Sequence, residues 1–459
     1  MALTRFLAAS SILALTAAAS PARENADATK SVRQLVQDRS GKDVKWEKDQ
    51  AAREQALQDA RRLLRKPLTI DTAVQIALLN NRSLQASIEE VGLSTADLLE
   101  ASTIPNPRFD LAVRVPDKPP TGTYIDYGAA IDFLGIIMIP LKKRVANDQL
   151  ETAVLRVAHE TLELVSQVKT AVYSLQASQQ LLRRFKVIAV TNAAALDLAK
   201  RQHDAGNISE LTLARQQATY SRSRLDIATT EAEIRQDRER LNRLLGLWGP
   251  DVNWQLADEP SEIPSTELPL AGLERLAICQ RLDLQADYLS IQSQAKNLGL
   301  TKSFRYLGAL DFGVESERET DAQTRTGPTF AIELPIFNQG QARIARGEAA
   351  LRQAQDRFEA LAVDVRSQIR ELRDQLASKR EIARSYQEEL LPIQRRILSE
   401  SLSNYNAMQI SDFELFTTKA EEEGTEREYV EAVRDYWITR AQLEEAVGGN
   451  LTPHVRSEK

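Results

Sequence analysis

The sequence predicts a mainly α-helical fold with a small β part, built as a duplicated unit of long coiled-coil helices, each preceded by a pair of strands. Three observations predict it. Residues 67–246 and 270–449 pass through the same order of events: Leu84-Gln85-Ala86 recurs as Leu284-Gln285-Ala286, Pro140 as Pro335, Ile208-Ser209 as Ile410-Ser411, Leu213 as Leu415, Leu241 as Leu443 and Gly246 as Gly448. Residues 142–203 contain neither proline nor glycine, and apolar residues recur there in 4,3 spacing at Leu150, Val154, Val157, Leu164, Val168, Ala171, Leu175, Leu182 and Phe185. Four short segments alternate apolar and polar residues with period two. A duplicated unit with such long helices cannot close one compact core, so the architecture is expected to be elongated and completed by other copies.

Taken in order, residues 1–22 read as a signal peptide: Arg5, an apolar stretch from Leu7 to Ala19, and small residues Ala17, Ala19 and Ala22 suited to cleavage. No cysteine lies near the cleavage region, so a free, unlipidated N-terminus is expected. Residues 23–66 form a charged N-terminal extension with helical pattern at Val32 to Asp38 and Gln50 to Leu64. The first repeat starts behind a Thr69 or Asp71 cap, runs through Val74, Leu78, Leu84, Ile88 and Leu98, and breaks at Pro105-Asn106-Pro107. Phe109, Leu111, Val113 and Val115 then alternate with Arg108, Asp110, Ala112 and Arg114, and Ile125, Tyr127, Ala129, Ile131 and Phe133 with Asp126, Gly128, Ala130 and Asp132. Pro116 to Gly122 has the composition of a hairpin loop.

The helix expected from Lys142 to about His203 is on the order of 90 Å long at about 1.5 Å per residue. Ala205-Gly206-Asn207 stops it, and Ser209 can cap a return helix that ends at Gly246. Residues 247–269, with Pro250, Pro260, Pro264 and Pro269, read as a linker. The second repeat gives a helix over Leu270 to Ser303, strands over Tyr306 to Val314 and Thr329 to Ile336, and a long helix carrying Leu361, Val365, Ile369, Leu372 and Leu376 with a kink expected at Pro392. Its turn falls near Asn404 to Ser411, Ser411 or Asp412 can cap the last helix, and residues 450–459 are expected to be a disordered tail.

Composition narrows the function. With 59 Lys+Arg against 65 Asp+Glu and a net charge of -6, there is no basic footprint for nucleic acid. A single cysteine, Cys279, excludes a disulfide framework, and three scattered histidines, His159, His203 and His454, exclude a histidine metal site. No nucleophile-base pair, metal-ligand spacing or phosphate loop occurs, so neither catalysis nor a cofactor is expected.

Strands of about 9 to 11 residues with one apolar and one polar face match tilted strands crossing a bilayer in a barrel. Four such strands cannot close, and open edges are not tolerated in hydrocarbon, so several chains are expected to contribute four each. Three chains would give twelve strands, and their helical rods a ring around an axial tunnel. The same 4,3 spacing also suits a plain soluble coiled coil.

The passage Leu334-Pro335-Ile336-Phe337-Asn338-Gln339-Gly340, followed by Arg343, Ala345 and Ala349, and the opening Leu68-Thr69-Ile70-Asp71-Thr72-Ala73-Val74 carry a family resemblance. On them, residues 67–449 resemble the TolC family of outer-membrane efflux proteins. The first-half passage Pro140-Leu141-Lys142-Lys143-Arg144 lacks the Phe and Gly and resembles members that accompany metal-exporting pumps. The resemblance implies a homotrimer with a 12-stranded β-barrel in outer-membrane lipid and a periplasmic α-helical tunnel, joined through a periplasmic adaptor (membrane fusion protein) to an inner-membrane transporter. It implies an efflux channel; a type I protein-secretion conduit shares the fold, and a non-channel periplasmic coiled-coil adaptor would carry one hairpin rather than two.

Both helix-helix turns are expected at the far periplasmic tip. The family's gating tyrosine and an acidic position fall on Tyr405 and Glu414, while its second acidic position falls on Thr417, its arginine on Ile410 and its first-half acid on Thr212. Asp412 and Glu210 complete the gate candidates. Threefold symmetry would make Glu414 a ring of carboxylates, although acids at a helix start also meet the helix dipole, worth roughly 0.3 to 1 kcal/mol each. Gly206, Asn207, Ile208, Ser209, Met408, Ile410 and Ser411 are the adaptor-contact candidates; Gly206 and Ile208 resemble the family's tip motif, and Met408 replaces its second glycine.

Overall fold

The computed structural model describes residues 21–46, 49–115, 117, 122–257, 263–264, 271–321 and 323–449. The expected signal peptide up to residue 20 and the tail from residue 450 lie outside these residues, as does much of the expected linker. The helices are α1 (Pro21–Ser40), α2 (Gln50–Leu64), α3 (Ile70–Asn80), α4 (Arg82–Ser102), α5 (Phe133–Asp204), α6 (Glu210–Leu245), α7 (Leu273–Gln280), α8 (Leu282–Ser303), α9 (Gln341–Ser385), α10 (Leu391–Asn406) and α11 (Asp412–Val447). The strands are β1 (Arg108–Arg114), β2 (Tyr124–Asp132), β3 (Leu310–Arg318) and β4 (Thr324–Ile332). The protein is mainly helical with one small sheet.

The chain divides into two compact units. One holds Met1–Val32, Ser87–Val157 and Asp283–Ala360 and carries the sheet; the other holds Arg33–Ala86, Ala158–Leu282 and Leu361–Lys459.

In the sheet-bearing unit the strands are antiparallel in the order β1-β2-β3-β4. Register puts Leu111 opposite Tyr127, Ala129 opposite Val314, and Phe312 opposite Phe330. Because successive side chains point to opposite faces, Phe109, Leu111, Val113, Tyr127, Phe312, Val314, Phe330 and Ile332 share one face, and all are exposed. The other face carries Arg108, Asp110, Arg114, Asp126, Asp311, Glu315, Glu317 and Arg325; Arg108 pairs with Asp311, and Tyr124 Oη donates to Glu317 Oε1 at 2.6 Å. No described residue of the unit covers this apolar face.

Strand limits differ from the sequence expectation. β3 starts four residues later than Tyr306, because the preceding helix runs on as turns in which Phe304 N–H donates to Leu300 O and Leu307 N–H to Phe304 O. β4 stops at Ile332, where Glu333 N–H pairs with Ala309 O before the tight turn around Pro335. α5 begins at Phe133 rather than Lys142, since Asp132 Oδ1 accepts Gly135 N–H at 2.8 Å and caps it, and Pro140 lies inside the helix.

In the helical unit the duplication is visible in detail. Each expected opening helix is broken once, at Asn81 (ψ 119°) and at Arg281 (ψ 128°). Helix ends leave carbonyls without partners, and these two positions supply donors. Asn81 Nδ2 donates to Leu244 O at 2.8 Å and Asn80 Nδ2 to Gly246 O at 2.7 Å, while Arg281 Nη1 reaches Ala446 O at 3.3 Å and Gln368 Oε1 at 3.0 Å. α6 and α11 both finish in a left-handed glycine, Gly246 and Gly448, closed by paired backbone bonds.

Thr69 caps α3 through a capping box with Thr72. Residues 33–66, whose role the sequence left unread, pack onto this unit. Val36 is fully buried, Arg39 Nη1 donates to Gly448 O at 2.8 Å, Gln75 and Gln85 donate to the carbonyls of Asp43 and Lys45, and Arg61 pairs with Asp251 at 3.0 Å. Part of the expected linker is likewise ordered: Trp254 is buried, Arg238 stacks 4.0 Å over its ring, and Leu68 N–H donates to Gln255 O at 2.7 Å. Before Pro392, where a kink is expected, the helix passes through a π-helical turn over Tyr386–Leu390 in which Leu391 N–H donates to Tyr386 O.

Candidate functional site at the helix-helix turns

The two turns of the helical unit are built alike. After α5, Gly206 adopts φ +73°, its N–H donates to His203 O and Asn207 N–H to Gln202 O, both at 2.8 Å. After α10, Met408 adopts φ +58°, its N–H donates to Tyr405 O and Gln409 N–H to Asn404 O, again both at 2.8 Å. A left-handed conformation is free for glycine but costs a side-chain-bearing residue about 1 kcal/mol or more. Met408 holds it with an almost fully exposed side chain.

Serine caps follow. Ser209 Oγ accepts Thr212 N–H at 3.3 Å and Ser411 Oγ accepts Glu414 N–H at 3.2 Å. Polar side chains at the last turn of one helix and the first turn of the next flank each turn. His203 Nε2 lies 3.0 Å from Glu210 Oε2 in the first, and Tyr405 and Asp412 hold the matching places in the second. Hydrogen bonding toward Asp412 and the Asp412 charge push the tyrosine pKa above its ordinary value. A raised folded pKa favours the protonated form, so its stabilising contribution is present below the ordinary tyrosine pKa and is lost as pH rises through the folded pKa.

Beneath the turns Leu196, Ala199 and Leu213 form a buried cluster, with Ile208, Tyr220 and Phe413 packed against it. Phe413 therefore joins the second turn to the first. Of the sequence-predicted residues, the structure uses Ser209 and Ser411 as caps, seats Ile208 on the apolar cluster, and places Tyr405 at the end of α10 and Asp412 at the start of α11. Ile410 is half-buried, while Gly206, Asn207, Met408, Glu210 and Glu414 are exposed. The tip thus presents Asp204, Glu210 and Glu414 to solvent, with Asp412 half-buried, over an apolar base.

Sequence reasoning missed a buried charge network in the same unit. Glu422, Glu423 and Glu426 of α11 are almost fully buried. Arg184 of α5 lies 3.5 Å from Glu423 and 3.2 Å from Glu426, Arg395 lies 2.7 Å from Glu426, and Lys419 lies 2.7 and 2.9 Å from Glu422 and Glu423. Burial lowers the Lys419 pKa, but its hydrogen bonds to the two carboxylates, and their charges, outweigh that and raise it overall. The network ties α5 to the second hairpin. Three glutamates within five residues, with Lys419 at helical spacing, resemble a solvated face, and Arg184 lies more than two hundred residues away, so no local pattern reveals its part.

The described residues thus hold an antiparallel sheet with one apolar and one ionic face, and two helical hairpins whose turns are built alike. The chain matches the outer membrane efflux protein family over residues 141–247. It is similar to the cobalt-zinc-cadmium resistance protein CzcC of Cupriavidus metallidurans, 23% identical over 335 residues that cover 71% of this chain and 77% of the relative. Among solved structures it shares the fold of the outer-membrane channel OprN, with TM-score 0.67 and 16% identity over 85% of this chain and 92% of that one. It also shares that of the Campylobacter jejuni CmeC outer membrane channel, with TM-score 0.70 and 14% identity over 83% and 85%.

Proposed function

We propose that three copies assemble into a homotrimer whose twelve strands close one β-barrel in outer-membrane lipid and whose helices enclose a periplasmic tunnel. The single observation that carries this reading is the sheet itself: β1 and β4 are unpaired edges, and the face they bound is exposed and apolar. Unpaired backbone groups are not tolerated in hydrocarbon, and pairing β4 of one copy with β1 of the next removes them. The assembly is an outer-membrane efflux channel that passes substrates from the periplasm to the exterior. Gly206, Asn207, Ile208, Ser209, Met408, Ile410 and Ser411 offer a periplasmic adaptor backbone groups and an apolar foothold, and the adaptor links the channel to an inner-membrane transporter.

Within that assembly Tyr405 and Asp412 latch the entrance, and Glu210 and Glu414 supply negative charge around it. Tyr405→Ala is expected to raise single-channel conductance in planar bilayers, and Glu414→Ala to weaken block by added divalent cations, with trimer assembly unchanged. Glu371, an exposed residue in α9 that accepts from Gln375, is the control. Conductance and block that are unchanged in both tip variants, or that change as much in Glu371→Ala, would show that these groups merely terminate helices.

A further inference from the structure

In the sheet-bearing unit a cavity of about 540 Å³ runs between α5, α8 and α9. Arg156, Arg343, Arg346 and Arg357 line it, against a single carboxylate, Asp287, which pairs with Arg156 at 3.6 Å. No described residue forms an ion pair with Arg343, Arg346 or Arg357. The excess of three positive charges stands out in a chain of net charge -6. Arg343, Arg346 and Arg357 recur along one face of α9, so their guanidinium groups look into the same concavity, where low-dielectric walls strengthen their field.

The side on which the groove opens follows from Asn297. It lines this cavity and also a neighbouring one of about 600 Å³ that includes Asp132, from the ionic face of the sheet. The groove therefore opens toward the ionic side of the sheet, not the apolar one. Its depth argues against a lipid headgroup as occupant. Arg346 and Arg357 lie five and 16 residues past the start of α9 at Gln341, about 8 and about 24 Å along the helix, whereas a headgroup layer is roughly 5 to 8 Å thick.

We propose that this groove binds a soluble oxyanion, a carboxylate- or phosphate-bearing solute, on its way through the channel. Guanidinium forks match such groups bidentately, and the volume lies within the range of small-molecule sites. The placement of the groove along the transport path rests on the channel reading above; the binding itself does not.

The test titrates citrate into the full-length protein in neutral detergent by calorimetry. Wild-type protein is expected to bind, Arg346→Gln to weaken binding about tenfold, and the Arg343→Gln/Arg346→Gln/Arg357→Gln variant to lose it, while Arg222→Gln on α6 changes nothing. Absence of citrate binding by the wild type, or equal binding by the triple variant, overturns the proposal. So does a triple variant that no longer keeps the wild-type oligomer, since the arginines would then hold copies together. Repeating the titration in nanodiscs containing phosphatidylglycerol separates the sources: binding that persists supports the solute, and binding that the lipid abolishes overturns it in favour of a headgroup. Native mass recorded on the same samples keeps the two readings apart, because a monomer that binds citrate ends the trimer reading alone, and a trimer that ignores citrate ends this one alone.

Discussion

Replacing Gly246 with alanine is expected to destabilise the helical unit by about 3 kcal/mol or more, a large fraction of an ordinary folding free energy. Gly246 has φ +67°, and a Cβ there would stand 2.4 Å from the Asn80 carbonyl oxygen and 3.0 Å from its carbon. The left-handed conformation alone costs an alanine about 1 to 2 kcal/mol. The overlap adds to it because the obstacle is backbone, held in place by the Asn80 and Asn81 side-chain bonds to the end of α6. Gly448, the counterpart in the second repeat, faces Gln280 backbone atoms at 3.2 Å. Gly448→Ala should therefore cost clearly less. The check is the apparent Tm of each purified variant by circular dichroism at one scan rate; equal losses for the two, or none for Gly246→Ala, would contradict the close approach.

Removing Arg184 is expected to be nearly as damaging. Glu423 and Glu426 have side chains only 5% and 9% exposed, and Arg184 is the cation they share across the two hairpins. Stripping a partner from a buried ion pair costs about 3 to 5 kcal/mol. Arg184 itself is 38% exposed, and Lys419 and Arg395 remain, so about 2 kcal/mol is the expected loss for Arg184→Ala. Adding Glu423→Gln to that variant should recover part of it, because the penalty comes from the uncompensated carboxylate. Denaturant midpoints for the single and double variants decide this, and a double variant weaker than the single one would mean that Glu423 does not depend on Arg184.

How far the sequence speaks for itself varies along the chain for physical reasons. Features set by neighbours a few residues apart were readable: the Thr69, Ser209 and Ser411 caps, the terminal Gly246 and Gly448, and the period-two strands. Strand limits were not, because they depend on which partner residue is opposite, and β3 and β4 shifted by about four residues once paired. The breaks at Asn81 and Arg281 were hidden for the same reason, as they answer carbonyls at the ends of α6 and α11. At the tip, Gly206 announced its turn, whereas Met408 holds the same left-handed geometry without any glycine to mark it. The link from Glu423 and Glu426 to Arg184, and the packing of residues 33–66, depend on distant parts of the chain.

The central claim is that β1 and β4 are edges completed by other copies. Native mass measurement of the protein extracted from outer membranes in mild detergent tests it most directly. Three chains per particle are expected, in the membrane fraction, with no stable population of single chains. A single chain that stays folded, or that partitions into the soluble fraction, would contradict it.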